Sequence, residues 1–207
     1  MSRHIVWDWN GTLLDDFYIV VEAVNTGLAS FDVGTVDAER YRNHYTRPVK
    51  LFYDRLIGRE IAESEWYHID SVYQSVYFQL SEQAGLNSDA AGALEMASRE
   101  ASGQSLLSMA LHDRLGPWVD RLGLSSHFVR VQGSTGPPGG PKAPELETHL
   151  EHIAIDPDRV VMIGDTPDDA RAAEAVGAEA VLYDGGSHHR ADLETVGFPW
   201  LTLSPRQ

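Results

Sequence analysis

Four short segments carry side chains whose chemistry could act together. In chain order they are Asp8 with Asn10-Gly11-Thr12, Ser108, Lys142, and Gly164-Asp165 with Asp168-Asp169. Each segment follows or ends an apolar run that is typical of a buried strand. Ligands of open α/β sheets bind at the carboxyl ends of the strands, so we expect these side chains to lie close together.

Aspartates gathered in one place repel each other unless their pKa values rise or a cation binds. Carboxylates and waters around an octahedral ion are typical of Mg²⁺, which also bridges phosphate oxygens. An ionised aspartate is then a competent nucleophile toward phosphorus. Lys142 and the hydroxyl of Ser108 would hold the phosphoryl oxygens, and we expect Gly11 and Thr12 to contact the substrate as well. These segments predict magnesium-dependent phosphoryl transfer to an aspartate.

The elements that must position these residues alternate between strand and helix over most of the chain. We predict strands over His4 to Trp7, Gln104 to Met109, Phe128 to Val131, Val160 to Ile163 and Ala180 to Tyr183, with a weak one near Trp200. Helices of about ten residues fit between most of them. The predicted fold class is α/β, a Rossmann-like parallel sheet with helices on both faces.

A helical pattern without strands interrupts this core after the first strand. We predict helices over Phe17 to Phe31, Ala38 to Tyr45, Val49 to Ile57 and Glu63 to Ala84, and a further one over Ala90 to Ala101. The predicted core domain comprises residues 1–14 and 89–207, and residues 15–88 form an inserted helical domain. The run from Gly136 to Pro141 is a loop, because the alternation resumes after it.

Composition limits the function classes that fit. The chain has 207 residues, of which 43% are hydrophobic and 23% charged, and it has no cysteine and no apolar run long enough for a bilayer. Ile5-Val6-Trp7 is too short for the apolar region of a secretory signal, so we expect the cytoplasm and no membrane partner. A net charge of −15 argues against nucleic acid. A phosphorylated substrate would need local positive charge.

The spacing of these segments resembles the haloacid dehalogenase superfamily. The run from Ile5 to Asp15 resembles its first motif, an apolar strand followed by D-x-D-G-T-L-x-D. Ser108 resembles the second motif, Lys142 the third, and the run from Gly164 to Asp169 the acidic G-D-x-x-x-D motif. The helical insert is similar to the cap of the phosphoglycolate-phosphatase-like branch.

This resemblance implies a site and an activity. Asp8 would be the nucleophile of a phosphatase acting on a small phosphorylated metabolite. Asp165, the Asp8 carboxylate and the main-chain carbonyl of Asn10 would hold Mg²⁺. Asp169 would support the metal or its waters, with Asp168 placed behind them.

Asn10 departs from the family pattern. The family's phosphatases carry a second Asp at this position, which protonates the leaving alkoxide and later activates water. Asn cannot titrate, and general acid–base catalysis contributes roughly 10²–10⁴-fold, so we expect slow turnover of poor leaving groups. Metal binding through the main chain should survive.

Several residues have competing interpretations. Ser105 is a rival to Ser108 on the same strand, and His188-His189 are interpreted as solvated rather than as a metal pair. Arg47 and Lys50 flank Pro48 in the insert, where they are either surface charges or contacts for the non-reacting end of the substrate.

Competing functions also remain open at this level. Phosphonoacetaldehyde hydrolase resembles the first motif with Ala in place of Asn10 and uses a cap lysine as a Schiff base, for which Lys50 is a candidate. A phosphate-binding regulatory protein that lost turnover is the non-catalytic alternative. A receiver domain has no room for the insert, and dehalogenation fits poorly with the acidic motif.

Overall fold

The protein is described by a computed structural model that covers residues 2–136 and 140–201. The described chain divides into two compact units. Unit 1 comprises the described residues of Met1–Asp15, Gly85–Thr135 and Pro141–Gln207, and unit 2 those of Asp16–Ala84 and Gly136–Gly140. The domain boundaries predicted at residues 14/15 and 88/89 lie near these limits, and the role of unit 2 as a cap stays a prediction.

Unit 1 contains a parallel sheet with helices between its strands, as the sequence predicts. Its elements are β1 (His4–Trp7), α5 (Ala90–Glu100), β2 (Gly103–Leu111), α6 (His112–Arg121), β3 (Val131–Ser134), α7 (Ala143–Ile153), β4 (Val160–Gly164), α8 (Pro167–Val176), β5 (Glu179–Tyr183), α9 (Arg190–Glu194) and β6 (Trp200–Leu201). The six strands lie in the order β3-β2-β1-β4-β5-β6, and every neighbouring pair is parallel. The predicted α/β, Rossmann-like fold class is therefore confirmed.

The strand order reverses between β1 and β4. In doubly wound sheets of this order, ligands bind in the crevice beyond the carboxyl ends of the strands at this point. Asp8 directly follows β1, and Asp165 directly follows β4. The order of the strands alone thus brings these two aspartates to the position where a ligand is expected.

The core of unit 1 lies between the sheet and its helices. Val6, Val160 and Met162 are fully buried strand residues, and they share a cluster with the buried Leu146 of α7 and Ala170 of α8. Burial of apolar surface stabilises a domain by about 25 cal/mol per Å². Apolar packing therefore stabilises the sheet against α7 and α8.

The third strand differs from its predicted position. It spans Val131–Ser134 instead of residues 128–131, because Ser125–His127 forms a short 3₁₀ turn and Val129 is 68% exposed. The apolar residues at 128–129 therefore precede the third strand and do not form part of it. The observed strand is mostly polar, and its buried Gln132 accepts a hydrogen bond from Arg130 and lies 3.2 Å from Nδ1 of His149.

Unit 2 contains four helices: α1 (Phe17–Gly27), α2 (Ala38–His44), α3 (Val49–Ile57) and α4 (Glu63–Ser81). Its core is aromatic, with Tyr41, Phe52, Tyr53 and Trp66 buried together. Tyr41 contacts Phe52 edge to face with ring centroids 5.0 Å apart. The aromatic residues of α2 and α3 thus pack inside this unit. The first predicted helix is shorter than expected and ends at Gly27.

The predicted loop over 136–141 falls partly on residues 137–139, which lie outside the described part of the chain. Among the residues that are described, no helix combines the length and the apolar character needed to cross a bilayer.

Candidate active site

The loop after β1 is fixed at both ends by backbone hydrogen bonds. The N–H of Asp8 donates to the carbonyl of Ile163 on β4, with N and O 2.8 Å apart. The N–H groups of Leu13 and Leu14 both donate to the carbonyl of Trp9, at 3.0 and 2.8 Å. The chain therefore turns back on itself immediately after Asp8.

Gly11 and Thr12 lie between the first and fourth strands. Gly11 has φ +72°, and a Cβ added there would lie 2.7 Å from Oδ2 of Asp165, so no larger residue fits without displacing that carboxylate. The Thr12 hydroxyl is 3.3 Å from Oδ2 of Asp8 and 3.4 Å from Oδ1 of Asp165. Since a hydroxyl donates one hydrogen bond, Thr12 can serve either carboxylate.

Three buried aspartates meet at this edge of the sheet. Asp8, Asp165 and Asp169 each offer a carboxylate oxygen, and these oxygens all lie within 4.8 Å of one another. Their exposures are 5%, 1% and 0%, so water cannot screen the repulsion between them. The sequence predicted this meeting, and the structure brings the three side chains together.

Lys142 provides the positive charge of the cluster. It is the N-cap residue of α7, is 4% exposed, and its Nζ contacts Oδ1 of both Asp8 and Asp169. The backbone N–H of Lys142 donates to Oδ2 of Asp168 at 3.2 Å. Asp168 therefore holds the main chain of Lys142, while Asp169 holds its ammonium group.

The protonation equilibria of the cluster reflect this arrangement. Burial raises the pKa of Asp8 to about 8 against the opposing effect of Lys142, with Asp169 and Asp165 adding to the rise. Burial and the neighbouring Asp169 raise the pKa of Asp165 to about 6. Burial also opposes ionisation of Asp169, yet the contacts with Lys142 and Thr166 outweigh it and lower the Asp169 pKa. Burial opposes the charge of Lys142 too, but Asp169 and Asp8 raise its pKa overall.

The donor set fits a hard divalent cation. Three carboxylates and one ammonium group leave two uncompensated negative charges when all are ionised. Oxygen-only ligands, few in number and buried, are those that Mg²⁺ prefers in proteins. A divalent ion at this position would neutralise the cluster and favour the ionised form of Asp8.

Asp169 also caps the first turn of α8, the helix that follows β4. Its Oδ2 accepts hydrogen bonds from the N–H and the hydroxyl of Thr166, at 2.9 and 2.7 Å, which forms a capping box for α8. Its Oδ1 contacts Lys142. The two oxygens of Asp169 therefore hold different partners, Thr166 at the start of α8 and the ammonium group of Lys142.

The structure separates the two candidate serines of β2. The hydroxyl of Ser108 donates to Oδ1 of Asn10 at 3.2 Å. Ser105 lies away from this loop, where its hydroxyl is 2.9 Å from Nε2 of His4 and 2.8 Å from Nε2 of His149. Ser108 is therefore the serine that adjoins the loop after β1, and Ser105 belongs to a buried polar network.

Two residues of the site were missed from the sequence. Ser187 donates to Oδ2 of Asp165 from both its N–H and its hydroxyl, and Asn87 donates from Nδ2 to the carbonyls of Thr12 at 2.8 Å and Gly11 at 3.3 Å. Asn87 follows no predicted strand, and Ser187 lies a few residues beyond the predicted strand that ends at Tyr183. The run Gly185-Gly186-Ser187, which begins two residues after β5 ends, was the available signal for Ser187.

Arg47, Lys50 and His188 contact residues of their own units. In unit 2, Arg47 donates to the carbonyl of Gly140 at 2.8 Å, and Lys50 forms ion pairs with Asp54 at 3.6 Å and Glu60 at 3.9 Å. In unit 1, His188 and His189 are half-buried, which corrects their interpretation as fully solvated side chains. Nδ1 of His188 lies 3.3 Å from the hydroxyl of Ser187. Both residues belong to the loop after β5, which contacts Asp165.

This combination of sheet order and strand-end carboxylates corresponds to a known family of enzymes. The model of the haloacid dehalogenase-like hydrolases matches residues 3–177. The chain belongs to that family and is a hydrolase. The predicted family resemblance and the prediction of an enzyme are thereby confirmed.

Curated proteins that match the chain over most of its length are phosphatases. The chain is 26% identical to phosphoglycolate phosphatase of Synechococcus elongatus over 97% of this chain and 92% of that protein. It is 27% identical to phosphoglycolate phosphatase of Chromobacterium violaceum, over 94% and 89% of the two chains. These matches support the phosphoglycolate-phosphatase-like branch and the phosphatase class of enzyme.

Solved structures share the fold at lower identity. A haloacid dehalogenase-like family hydrolase from Streptococcus pneumoniae superposes with a TM-score of 0.84 at 20% identity, covering 99% of this chain and 95% of that one. CbbY from Rhodobacter sphaeroides, in complex with phosphate, gives a TM-score of 0.75 at 19% identity over 98% and 94%. At these identities the similarity concerns the fold.

Proposed function

We propose that the protein hydrolyses a small phosphorylated metabolite through a phospho-aspartate formed on Asp8. The observation that carries the proposal is the contact of the buried Asp8 carboxylate with Lys142, inside a group that includes Asp165 and Asp169. An anionic nucleophile that must approach an anionic substrate needs cations at the same point, and this group offers one ammonium and a place for a metal ion.

The reaction would use the residues of the loop after β1. A carboxylate oxygen of Asp8 attacks phosphorus, and the bond from phosphorus to the ester oxygen breaks. The leaving oxygen keeps the electron pair and takes a proton from water, because Asn10 has none to give. Water then cleaves the phospho-aspartate, which returns the Asp8 carboxylate and releases inorganic phosphate. Lys142 and the hydroxyls of Ser108 and Thr12 would hold the phosphoryl oxygens, with Gly11 leaving space for them.

The donor set supports Mg²⁺ as the cofactor. Asp8, Asp165 and the main-chain carbonyl of Asn10 would hold the ion, with Asp169 in support. When bound, the ion would supply charge compensation for the phosphoryl oxygens during transfer.

The substrate is a further proposal. The curated relatives are named as phosphoglycolate phosphatases. A small phosphorylated carboxylic acid is therefore the first candidate, and Arg47 and Lys50 stay candidates for contacts with its non-reacting end. The cytoplasmic location expected from the sequence also stays a prediction.

A panel of phosphorylated metabolites that includes phosphoglycolate, assayed with and without Mg²⁺, tests the proposal. We expect hydrolysis of at least one compound to require Mg²⁺ and to fall at least about 10³-fold in Asp8→Asn, because the nucleophile is lost. Asp113→Asn, which changes an exposed carboxyl on α6, is the matched control and should keep full activity. Undiminished turnover in excess chelator, or in Asp8→Asn, would reject the mechanism.

Asn10 favours one second candidate, a phosphate-binding regulatory protein without turnover. The same assay separates the two, because such a protein would bind phosphate and hydrolyse nothing in the panel. The C–P cleavage alternative has less support, because the Lys50 ammonium group is engaged in ion pairs with Asp54 and Glu60. Borohydride trapping with phosphonoacetaldehyde tests it directly.

A further inference from the structure

The loop after β5 closes over one oxygen of Asp165. The N–H and the hydroxyl of Ser187 both donate to Oδ2 of Asp165, each at 2.7 Å. A Cβ added at Gly186 would lie 2.1 Å from the same oxygen, so only glycine allows the loop to come this close. Ser187 therefore binds this carboxylate oxygen closely, through two short hydrogen bonds from one residue.

The other oxygen of Asp165 faces the rest of the acidic group. Oδ1 is 3.4 Å from the Thr12 hydroxyl, which is itself 3.3 Å from Oδ2 of Asp8. Oδ1 thus lies on the side of Asp8, whereas the hydrogen bonds from Ser187 engage Oδ2. A carboxylate oxygen that accepts two hydrogen bonds has little capacity left for a cation.

We propose that Ser187 restricts Asp165 to metal coordination through Oδ1 alone and thereby makes the site select Mg²⁺ over Ca²⁺. Mg²⁺ is octahedral with ligands at about 2.0–2.1 Å and takes one oxygen from each carboxylate, whereas Ca²⁺ accepts two-oxygen coordination at about 2.3–2.6 Å with more ligands. Holding Oδ2 away from the ion removes a ligand that Ca²⁺ would use and Mg²⁺ would not. Ser187 is then a positioning residue that acts through Asp165.

This inference rests on the metal site of the proposed function, and its test does not depend on turnover. Isothermal titration calorimetry of the metal-free full chain would measure the dissociation constants of Mg²⁺ and Ca²⁺ separately. The variants are Ser187→Ala, which removes the hydroxyl, and Ser187→Thr, which keeps it. Ser126→Ala is the matched control, since it removes an exposed serine hydroxyl on the short 3₁₀ turn of unit 1.

We expect wild type to prefer Mg²⁺, and Ser187→Ala to lower the ratio of Mg²⁺ to Ca²⁺ affinity about tenfold or more, within the range for residues that orient a metal ligand. Ser187→Thr and Ser126→Ala should keep the wild-type ratio. If Ser187→Ala does not fold, as judged by circular dichroism, Ser187→Cys replaces it and should lower the ratio in the same direction, because a thiol is a weaker donor.

Three results would overturn the inference, and they are distinguishable. Equal affinity of wild type for both ions removes the selectivity itself. The ratio of Mg²⁺ to Ca²⁺ affinity could stay unchanged in the folded variant that lacks the hydroxyl, even if both affinities fall. Ser187 would then have only a structural role. A wild-type protein that binds neither ion removes the metal site, and this outcome alone also counts against the proposed function.

Discussion

Asn10 is the residue at which the chemistry of this chain departs from its family. Its side-chain oxygen accepts a hydrogen bond from Ser108 at 3.2 Å, so the amide is held in one orientation beside the loop that carries Asp8. An amide can donate a hydrogen bond to a leaving oxygen, but it cannot transfer a proton to it. The expected consequence is a preference for substrates whose leaving group is already stable as an anion.

Replacing Asn10 with Asp tests this consequence. We expect Asn10→Asp to raise kcat for alkyl phosphates by about 10²-fold and to change kcat for p-nitrophenyl phosphate much less, because a phenolate needs little protonation. The variant should also lose activity as pH rises above the pKa of the new carboxyl, since a general acid must be protonated. Wild type should lack this basic limb in its pH profile.

The comparison requires saturating Mg²⁺ for both proteins, because an added carboxylate could tighten the metal site and imitate a catalytic gain. Lower activity of Asn10→Asp toward both classes of ester would mean that the amide has a positive role, such as orienting the leaving group.

At the scale of elements, the loop after β1 depends on a residue that lies far along the chain. Asn87 is buried, its Nδ2 lies within hydrogen-bonding distance of the carbonyls of Gly11, Thr12 and Leu14, and its N–H donates to the carbonyl of Leu13 at 2.9 Å. These carbonyls belong to the turn that positions the Thr12 hydroxyl against Asp8. Asn87 thus joins the segment before α5 to the nucleophile loop through both its side-chain amide and its backbone N–H.

We expect Asn87→Ala to lower the free energy of unfolding by about 2 kcal/mol, because buried carbonyls lose their donor. The kcat should fall with it, since the turn that carries Asp8 and Thr12 loses its support. Urea unfolding and steady-state kinetics at saturating Mg²⁺ measure the two effects. Asn43→Ala, an exposed change on α2, serves as the control and should stay within about 0.5 kcal/mol of wild type. Equal stability losses in both variants would contradict a special role for Asn87.

At the scale of the whole molecule, two buried histidines make stability depend on pH. Burial lowers the pKa of His4 to about 4, and burial with the nearby Arg130 lowers the pKa of His149 to about 3. Both rings share the hydroxyl of Ser105, and His149 also contacts Gln132 at 3.2 Å. The folded state therefore keeps both rings neutral where the unfolded chain would protonate them.

The sign of the effect follows from proton binding. Below the ordinary histidine pKa of about 6.5 the unfolded state binds more protons than the folded state, so stability is complete above that pH and falls toward pH 4. Each histidine contributes up to about 1.4 kcal/mol per pH unit within this window. Both contributions act in the same direction as the pH falls.

We expect wild type to lose stability faster than His149→Gln between pH 6 and pH 5, by about 1 kcal/mol, because the variant lacks one of the two groups. Urea unfolding at saturating Mg²⁺ gives the slope of unfolding free energy against pH for each protein. Both proteins contain the carboxylates near Asp8, so the contribution of these groups cancels in the difference between the two slopes. His152→Gln, an exposed change on the same helix α7, should keep the wild-type slope. Parallel curves for wild type and His149→Gln would show that His149 does not carry the effect.

Local sequence determined the features that depend on short runs of neighbouring residues. An apolar run followed by a polar turn predicts a strand end, so Asp8 and Asp165 could be placed at one edge of a parallel sheet from the printed sequence, and Lys142 followed from its position after the third strand. The helices of unit 2 were likewise predictable to within a few residues, because the 3.6-residue period and the helix breaks are local signals.

The tertiary structure decided every feature that depends on which side chains meet. The sequence indicated Ser108 with Ser105 as a rival on the same strand, and the contacts with His4 and His149 assign Ser105 to a buried network. Thr12 and Asp165 meet across a separation of 153 residues. Ser187 and Asn87 carry no motif, because their function depends on hydrogen-bond geometry toward Asp165 and the nucleophile loop. A periodic pattern in the sequence indicates which face of a helix or strand is buried. The contacts between side chains of distant elements depend on how those buried faces pack together, which only the folded structure shows.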